Sequence, residues 1–141
     1  MGETARASSQ SQVFESERMA AEWVAEFAEA LDSEEADTCM TYLLGEFSED
    51  SNFEITGAKV GELSFTPPPG VDEANAWQVE AAIEGKAGSQ AEGLSVTAYA
   101  DFVRLRNGDV TTEVLTTDIA TPFDPELRDE LVAVIAGRMA D

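Results

Sequence analysis

The spacing of the apolar residues changes from helical to strand-like near residue 52, and this change restricts the fold class. From residue 16 to residue 47, apolar side chains recur every three to four positions, the repeat of an amphipathic helix. From residue 53 to residue 119 they alternate mainly with polar ones, the repeat of a β-strand. A helical repeat returns after residue 124. Helices and strands separated along the chain in this way indicate an α+β fold.

Two consecutive helices are predicted before the strands. Ser16 is a favourable N-cap and Glu17 lies in the first turn, where the helix dipole favours negative charge. Asp32 or Ser33 ends the first helix, and residues 48–52 form the turn that ends the second. The first stripe contains Met19, Trp23, Phe27 and Leu31, and the second contains Ala36, Cys39, Met40, Leu43, Leu44 and Phe47.

Four strands are predicted between residues 53 and 119. The apolar alternation shifts phase in the first of them, and Gly57 or Gly61 would absorb that shift as a bulge or bend. Residues 66–70 (TPPPG) cannot lie inside a sheet, so they form an extended connection. Residues 85–93 are glycine-rich and predict a mobile hairpin loop.

The dipeptide Asn107-Gly108 is the strongest hairpin signal in the chain, because a type I′ turn needs positive φ at both central positions. A two-residue loop at this point would place Arg106 opposite Asp109 and Leu105 opposite Val110. After the last strand, Asp124 and Pro125 predict the start of a third helix. Its apolar stripe contains Leu127, Leu131, Val134, Ile135 and Met139.

These elements predict a single α+β domain over residues 13–141. Its curved antiparallel sheet has four to five strands packed with three helices, in the order β-α-α-β-β-β-β-α. Residues 1–12 are small, polar and without periodicity, and are predicted to be a flexible N-terminal tail. The short stretch from Gln12 to Phe14 is predicted to join an edge of the sheet.

The charge of the chain excludes several classes of partner. Twenty-nine acidic residues against eight basic ones give a net charge of -21, which repels nucleic acid and anionic membrane surfaces. No apolar run approaches the roughly 18 residues of a transmembrane helix. The first 12 residues contain no apolar signal-peptide core, and Cys39 has no partner for an internal disulfide.

Few residues suit catalysis or metal binding. There is no histidine, the commonest general base and metal ligand. Cys39 lies on an apolar helical stripe and is interpreted as a buried structural thiol. Asp101 and Glu113 stand in otherwise apolar strands, where burial would raise a carboxyl pKa, but solvated or edge positions are the plainer interpretation. The sequence predicts no catalytic residue, no metal site and no cofactor.

Five aromatic residues are the candidate ligand-binding set. They would line a pocket between the first helix and the sheet, a place where folds of this size hold apolar ligands. The alternative is a filled core, for which Met19, Leu31 and Val79 supply the side chains. The candidate residues are Trp23, Phe27, Trp77, Tyr99 and Phe102.

Several short segments carry a family resemblance. They are residues 13–16 (VFES), 37–39 (DTC), 63–65 (LSF), 103–110 (VRLRNGDV) and 123–127 (FDPEL). With these segments the chain resembles actinobacterial exported lipoproteins and the extracytoplasmic sensor domain of mycobacterial receptor kinases. The resemblance covers most of residues 13–141. The chain departs from it by having neither a lipobox cysteine nor the disulfide of the kinase domain.

The resemblance implies an extracytoplasmic domain tethered to the membrane by a lipidated N-terminus, which these 141 residues do not include. Such a domain would be non-enzymatic and would bind a small apolar molecule, an envelope lipid or a protein partner. Two alternatives remain open at this point. One is a small cone-shaped α+β enzyme with an aspartate as general base, and the other is an acidic structural module that docks on a basic protein.

Overall fold

The chain forms an open, curved, five-stranded antiparallel sheet with three helices, in the predicted order. A computed structural model describes residues 5–49, 51–63 and 65–139, without the side chains of residues 47 and 48. The elements are β1 (Arg6–Val13), α1 (Glu17–Leu31), α2 (Ala36–Ser48), β2 (Phe53–Glu62), β3 (Glu73–Gly85), β4 (Ser95–Asn107), β5 (Val110–Ile119) and α3 (Pro125–Met139). Within the described part, no helix is long and apolar enough to cross a bilayer.

The strands lie in the order β1-β5-β4-β3-β2, so β1 and β2 are the two edges. Strands β2 to β5 form a meander in chain order, and β5 pairs with β1 on its other side. The register of β2 on β3 shifts between Ile55 and Gly57, which confirms the predicted bulge.

The ends of the helices follow the predicted local chemistry. The Met19 backbone N–H donates to Ser16 Oγ at 3.2 Å, which caps α1. The helix ends at Leu31, with Asp32 as its C-cap. At the start of α3, the Glu126 N–H donates to Asp124 Oδ1 at 3.0 Å.

Two apolar cores lie on opposite faces of the sheet. One is formed with α3 around Val103, Leu105 and Val132, which are fully buried. The other is formed with α1 and α2 around Trp77 and Val79. Side chains along β4 alternate between the two cores, so both faces of its middle need cover.

The buried stripe of α3 is centred one position beyond the predicted one. Arg128, Val132 and Ala136 are buried, whereas Val134 is 55% exposed. A buried helix face that is predicted from apolar residues alone leaves out an arginine at its centre. Arg128 takes that position because it has a buried carboxylate partner on the sheet, described below.

The burial predicted for Cys39 is wrong, because its side chain is exposed. α2 packs mainly on the edge strand β2, so only its narrow line of Ala36, Met40 and Leu44 turns inward. Leu43 is 43% exposed for the same reason. The side chain of Phe47, the last member of the predicted stripe, lies outside the described residues.

The prediction of a flexible tail over residues 1–12 is wrong for residues 6–12, which form β1 with Val13. All eight residues of β1 are exposed, so no apolar periodicity marks this strand. It is held by backbone pairing with β5 from Arg6 to Val13 and by the Ser11 Oγ to Thr112 Oγ1 hydrogen bond at 2.8 Å. Residues 1–4 lie outside the described part.

The β4–β5 hairpin forms, but its loop is one residue further along the chain than predicted. Asn107 pairs with Val110, so Gly108 and Asp109 are the loop residues and Arg106 faces Thr111. Gly108 has φ +63°, while Asp109 is not among the residues with positive φ. Positive φ at the first loop position alone is the pattern of a type II′ turn rather than type I′.

We expect Gly108→Ala to lower the free energy of unfolding by about 1–2 kcal/mol, because alanine is strained at this φ. Gly61→Ala is the matched control, since a Cβ at Gly61 meets nothing within 4 Å and the backbone φ is ordinary. The control should leave stability unchanged or raise it slightly. Urea unfolding measures both, and equal effects of the two substitutions would contradict the turn assignment.

Candidate functional site

An apolar cavity of about 440 Å³ lies between α2 and the sheet. Its volume is within the range of small-molecule sites in proteins. Most of its lining is aliphatic and comes from α2, β2, β3, β4 and β5. The lining residues are Arg6, Met40, Leu44, Ile55, Val79, Ala81, Ile83, Ala98, Tyr99, Ala100, Phe102, Thr117, Asp118 and Ile119.

The cavity exists because the helices leave part of the sheet uncovered. α1 covers β4 and β5 near Phe102, and α2 then turns away to pack on β2. The sheet between these two contacts carries Ala81, Ala98 and Ala100, whose side chains are too short to fill the space. Folding therefore leaves an apolar hollow beneath α2, whereas the space between α1 and the sheet, where the pocket is predicted from the sequence, is filled by core side chains such as Phe27 and Trp77.

A second apolar cavity, of about 320 Å³, continues the first towards the start of β4. The two cavities share Leu44, Ile55, Ile83 and Ile119, and the second adds Phe53 and Val96. From Phe102 to Val96 the cleft follows seven residues of β4, and the six steps between them span roughly 20 Å at the rise of a β-strand. Ile119 and Phe53 are 43% and 37% exposed, so the cleft is reached from solvent at this end.

Two of the five predicted aromatic residues lie on the cavity, Tyr99 and Phe102. Strand alternation places the Tyr99 side chain on the α3 face with that of Asp101. Tyr99 is therefore part of the cavity floor, but its ring points away from the cavity. Phe27 packs behind Phe102, with ring centroids 6.3 Å apart, and edge-on to Trp77 at 5.3 Å. Phe102 lines the inner end of the cleft, and Phe27 and Trp77 belong to the core behind it.

Trp23 is further from the cavity and belongs to the contact of α1 with the sheet. The guanidinium carbon of Arg104 lies 3.8 Å from the ring centroid of Trp23 and 3.5 Å from that of Phe27, and each contact is a cation–π interaction. Glu113 accepts a hydrogen bond from Arg104 Nε at 2.7 Å. Burial lowers the pKa of Arg104 below its ordinary value, while Glu113 acts in the opposite direction.

Asp101, the first candidate carboxylate, is 1% exposed and forms an ion pair with Arg128 at 2.8 Å. The Gln78 amide also donates to it, at 2.9 Å. Burial disfavours the charged form of Arg128, but its hydrogen bonds to Asp101 and Asp129 raise its pKa above the ordinary value. Asp101 is therefore held in a structural ion pair that ties α3 to the sheet.

Glu113, the second candidate, lies on the opposite face of the sheet from Asp101. Its partner Arg104 contacts α1, whereas the partner of Asp101 is on α3. The two carboxylates therefore cannot act on one substrate as a catalytic pair. Within the described part of the chain, no group of three or more acidic or cysteine side chains is arranged to hold a metal ion.

Sequence reasoning missed most of the aliphatic lining of the cavity. The sequence places Met40 and Leu44 on the apolar stripe of the second helix and Ile55 in the first predicted strand, and it assigns none of the three to a ligand site. The informative signal is the series of small residues in facing strands, Ala81 in β3 with Ala98 and Ala100 in β4. The short side chains of three neighbouring alanines on one sheet face leave space above the sheet. This space stays empty unless a helix packs closely against it.

Comparison with known proteins leaves the site to be judged on its own geometry. No protein-family model, curated protein or solved structure matches this chain.

Proposed function

We propose that this protein is a non-enzymatic binding domain that holds an elongated apolar molecule, such as the acyl chain of an envelope lipid, in the cleft between α2 and the sheet. The observation that carries the proposal is the aliphatic cavity of about 440 Å³ and its continuation along β4. A cleft of this shape matches a chain-like ligand better than a compact one.

The chemistry of the lining supports the same choice of ligand. Most of its side chains are apolar, with Arg6, Thr117 and Asp118 as the polar exceptions, so the favourable free energy of binding would come mainly from removing apolar surface from water. The chain carries a net charge of -21, which disfavours anionic ligands at long range. We therefore favour a ligand whose head group carries no negative charge.

An extracytoplasmic location and a lipidated tether are part of the proposal and rest on the sequence resemblance. A domain held at a membrane surface would meet lipids at high local concentration, so a modest affinity for single lipid molecules would be sufficient.

Native mass spectrometry of freshly purified protein, with organic extraction of what co-purifies, is the direct test. We expect a stoichiometric adduct of defined mass, recovered by extraction as a lipid. A bare polypeptide mass that stays unchanged after incubation with an envelope lipid extract would refute the proposal.

Binding of a neutral monoacylglycerol, followed by calorimetry, tests the position of the ligand. We expect Ala98→Phe to weaken binding at least about tenfold, because a phenyl ring on the cavity floor occupies the space of the ligand. Ala82→Phe is the matched control, since Ala82 is exposed on the other face of the neighbouring strand. Equal affinities of the two variants would exclude this cleft as the binding site.

A further inference from the structure

The two edges of the sheet differ in how they are protected against pairing with another strand. The edge strand β2 has a bulge between Ile55 and Gly57, charged side chains at Glu54 and Lys59, and a capped backbone. Asp37 of α2 caps this edge, because its Oδ1 accepts a hydrogen bond from the Val60 N–H at 2.7 Å. Bulges, charges and cover are the devices by which proteins block sheet edges.

The edge strand β1 has none of these devices between Ala7 and Val13. This segment contains no charged residue and no proline, and its register on β5 is continuous. Every residue of β1 is exposed, and among the described residues only β5 pairs with it. The outer edge of β1 is therefore available for a further strand.

One hydrogen bond shows which N–H and C=O groups of β1 point away from the sheet. The Phe14 N–H donates to the Asp109 carbonyl at 2.8 Å, so the even-numbered residues of β1 bond to β5. The odd-numbered residues Ala7, Ser9, Ser11 and Val13 consequently direct their N–H and C=O groups away from the sheet.

We propose that β1 pairs antiparallel with β1 of a second copy of this chain, forming a continuous ten-stranded sheet. A two-fold axis through Gln10 pairs Ala7 with Val13 and Ser9 with Ser11 of the other copy. All four outward-directed residues of each strand are then hydrogen-bonded, in the pairs that exchange both bonds. Gln10 faces its own copy across the axis.

Electrostatics favours a second copy at this place over other parts of the surface. Residues 5–14 contain no acid and one arginine, in a chain with 29 acidic residues. Two copies that meet along β1 therefore bring together the strands that lack the charge by which the protomers repel each other.

The helices leave room for this pairing. With strands about 4.8 Å apart, the β5 strands of the two copies would be separated by three spacings, roughly 14 Å. α1 and α3 each pack over β4 and β5, on opposite faces of the sheet, and the C-terminal part of α3 also reaches Ser9 and Ser11 of β1. Two helices need only about 8–10 Å between their axes, so the α3 helices do not collide.

Sedimentation equilibrium over a range of protein and salt concentrations tests the proposal. We expect a monomer–dimer equilibrium that shifts towards dimer as salt screens the repulsion between protomers. A protein that stays monomeric at all concentrations and salt levels would overturn the proposal.

Gln10→Glu tests the position of the interface, with Gln90→Glu in an exposed loop as the matched control of identical chemistry. The first places two carboxylates opposite each other, and we expect it to raise the dimer dissociation constant about fivefold or more, with the control unchanged. Equal effects of the two substitutions would show that the interface lies elsewhere. An equimolar mixture of Gln10→Glu with isotopically labelled Gln10→Lys should form mainly heterodimers in native mass spectrometry, and a statistical mixture would refute the proposed register.

Discussion

Replacing Arg128 with methionine should lower the free energy of unfolding by about 3–5 kcal/mol, because it leaves the Asp101 carboxylate buried without its counter-charge. The two side chains are 6% and 1% exposed, so water cannot replace the lost partner. Gln78 still donates one hydrogen bond, but a neutral amide does not balance the charge. Urea unfolding followed by circular dichroism measures the change.

Arg138→Met is the control, because Arg138 is exposed near the end of the same helix and should change stability little. The double variant Asp101→Leu with Arg128→Met separates loss of charge balance from loss of packing. We expect it to be more stable than Arg128→Met alone, since apolar pairs often replace buried ion pairs without loss. A double variant as unstable as the sum of both single variants would contradict this account.

Trp77→Ala should cost about 3–5 kcal/mol, since it removes the largest side chain of the core beneath α1 and α2. Trp77 is 3% exposed and makes an edge-to-face contact with Phe27 in the core behind Phe102. The loss should appear in thermal unfolding as a lower Tm.

Trp77→Phe should retain most of the stability, within about 1.5 kcal/mol of the wild type. Phenylalanine keeps an aromatic ring and removes the indole N–H, which is buried without a hydrogen-bond partner among the described residues. A buried donor without a partner costs free energy, so its removal offsets part of the lost volume. If Trp77→Phe were as destabilising as Trp77→Ala, this account would be wrong. The indole nitrogen would then have to make a stabilising contact that phenylalanine cannot replace.

Local signals in the sequence were sufficient for the main elements of the fold. The Ser16 cap, the Asp124-Pro125 helix start and the phase shift at Gly57 each depend on residues close together in the chain, and each is confirmed. The hairpin was found from Asn107-Gly108, but its loop shifted by one residue. Composition alone cannot separate a type I′ from a type II′ turn when glycine suits both.

Features that depend on distant residues could not be predicted in the same way. β1 contains almost no apolar residues, and only its backbone pairing with β5 makes it a strand. The rotation of α3 depends on Arg128 meeting Asp101, which is 27 residues away. Neither feature has a periodicity that a single sequence would show.

Of the five aromatic residues that the sequence offers as a ligand-binding set, only Tyr99 and Phe102 line the cavity. Phe27 and Trp77, which belong to the same predicted set, are instead core residues. The cavity instead lies over the alanines at positions 81, 98 and 100. The cavity exists because the side chains beneath it are too short to fill the space, so small residues are the ones that mark its position.

The pairing of β1 with β5 also has a consequence for the order of events when the protein is made. β1 leaves the ribosome about a hundred residues before β5, a wait of roughly 5–20 s at ordinary rates of translation. The meander β2–β5 has mostly local contacts and can form first, whereas β1 must close a loop of some hundred residues. A strand of serine and glutamine can wait in water without exposing apolar surface, so its lack of hydrophobic residues suits an element that docks last.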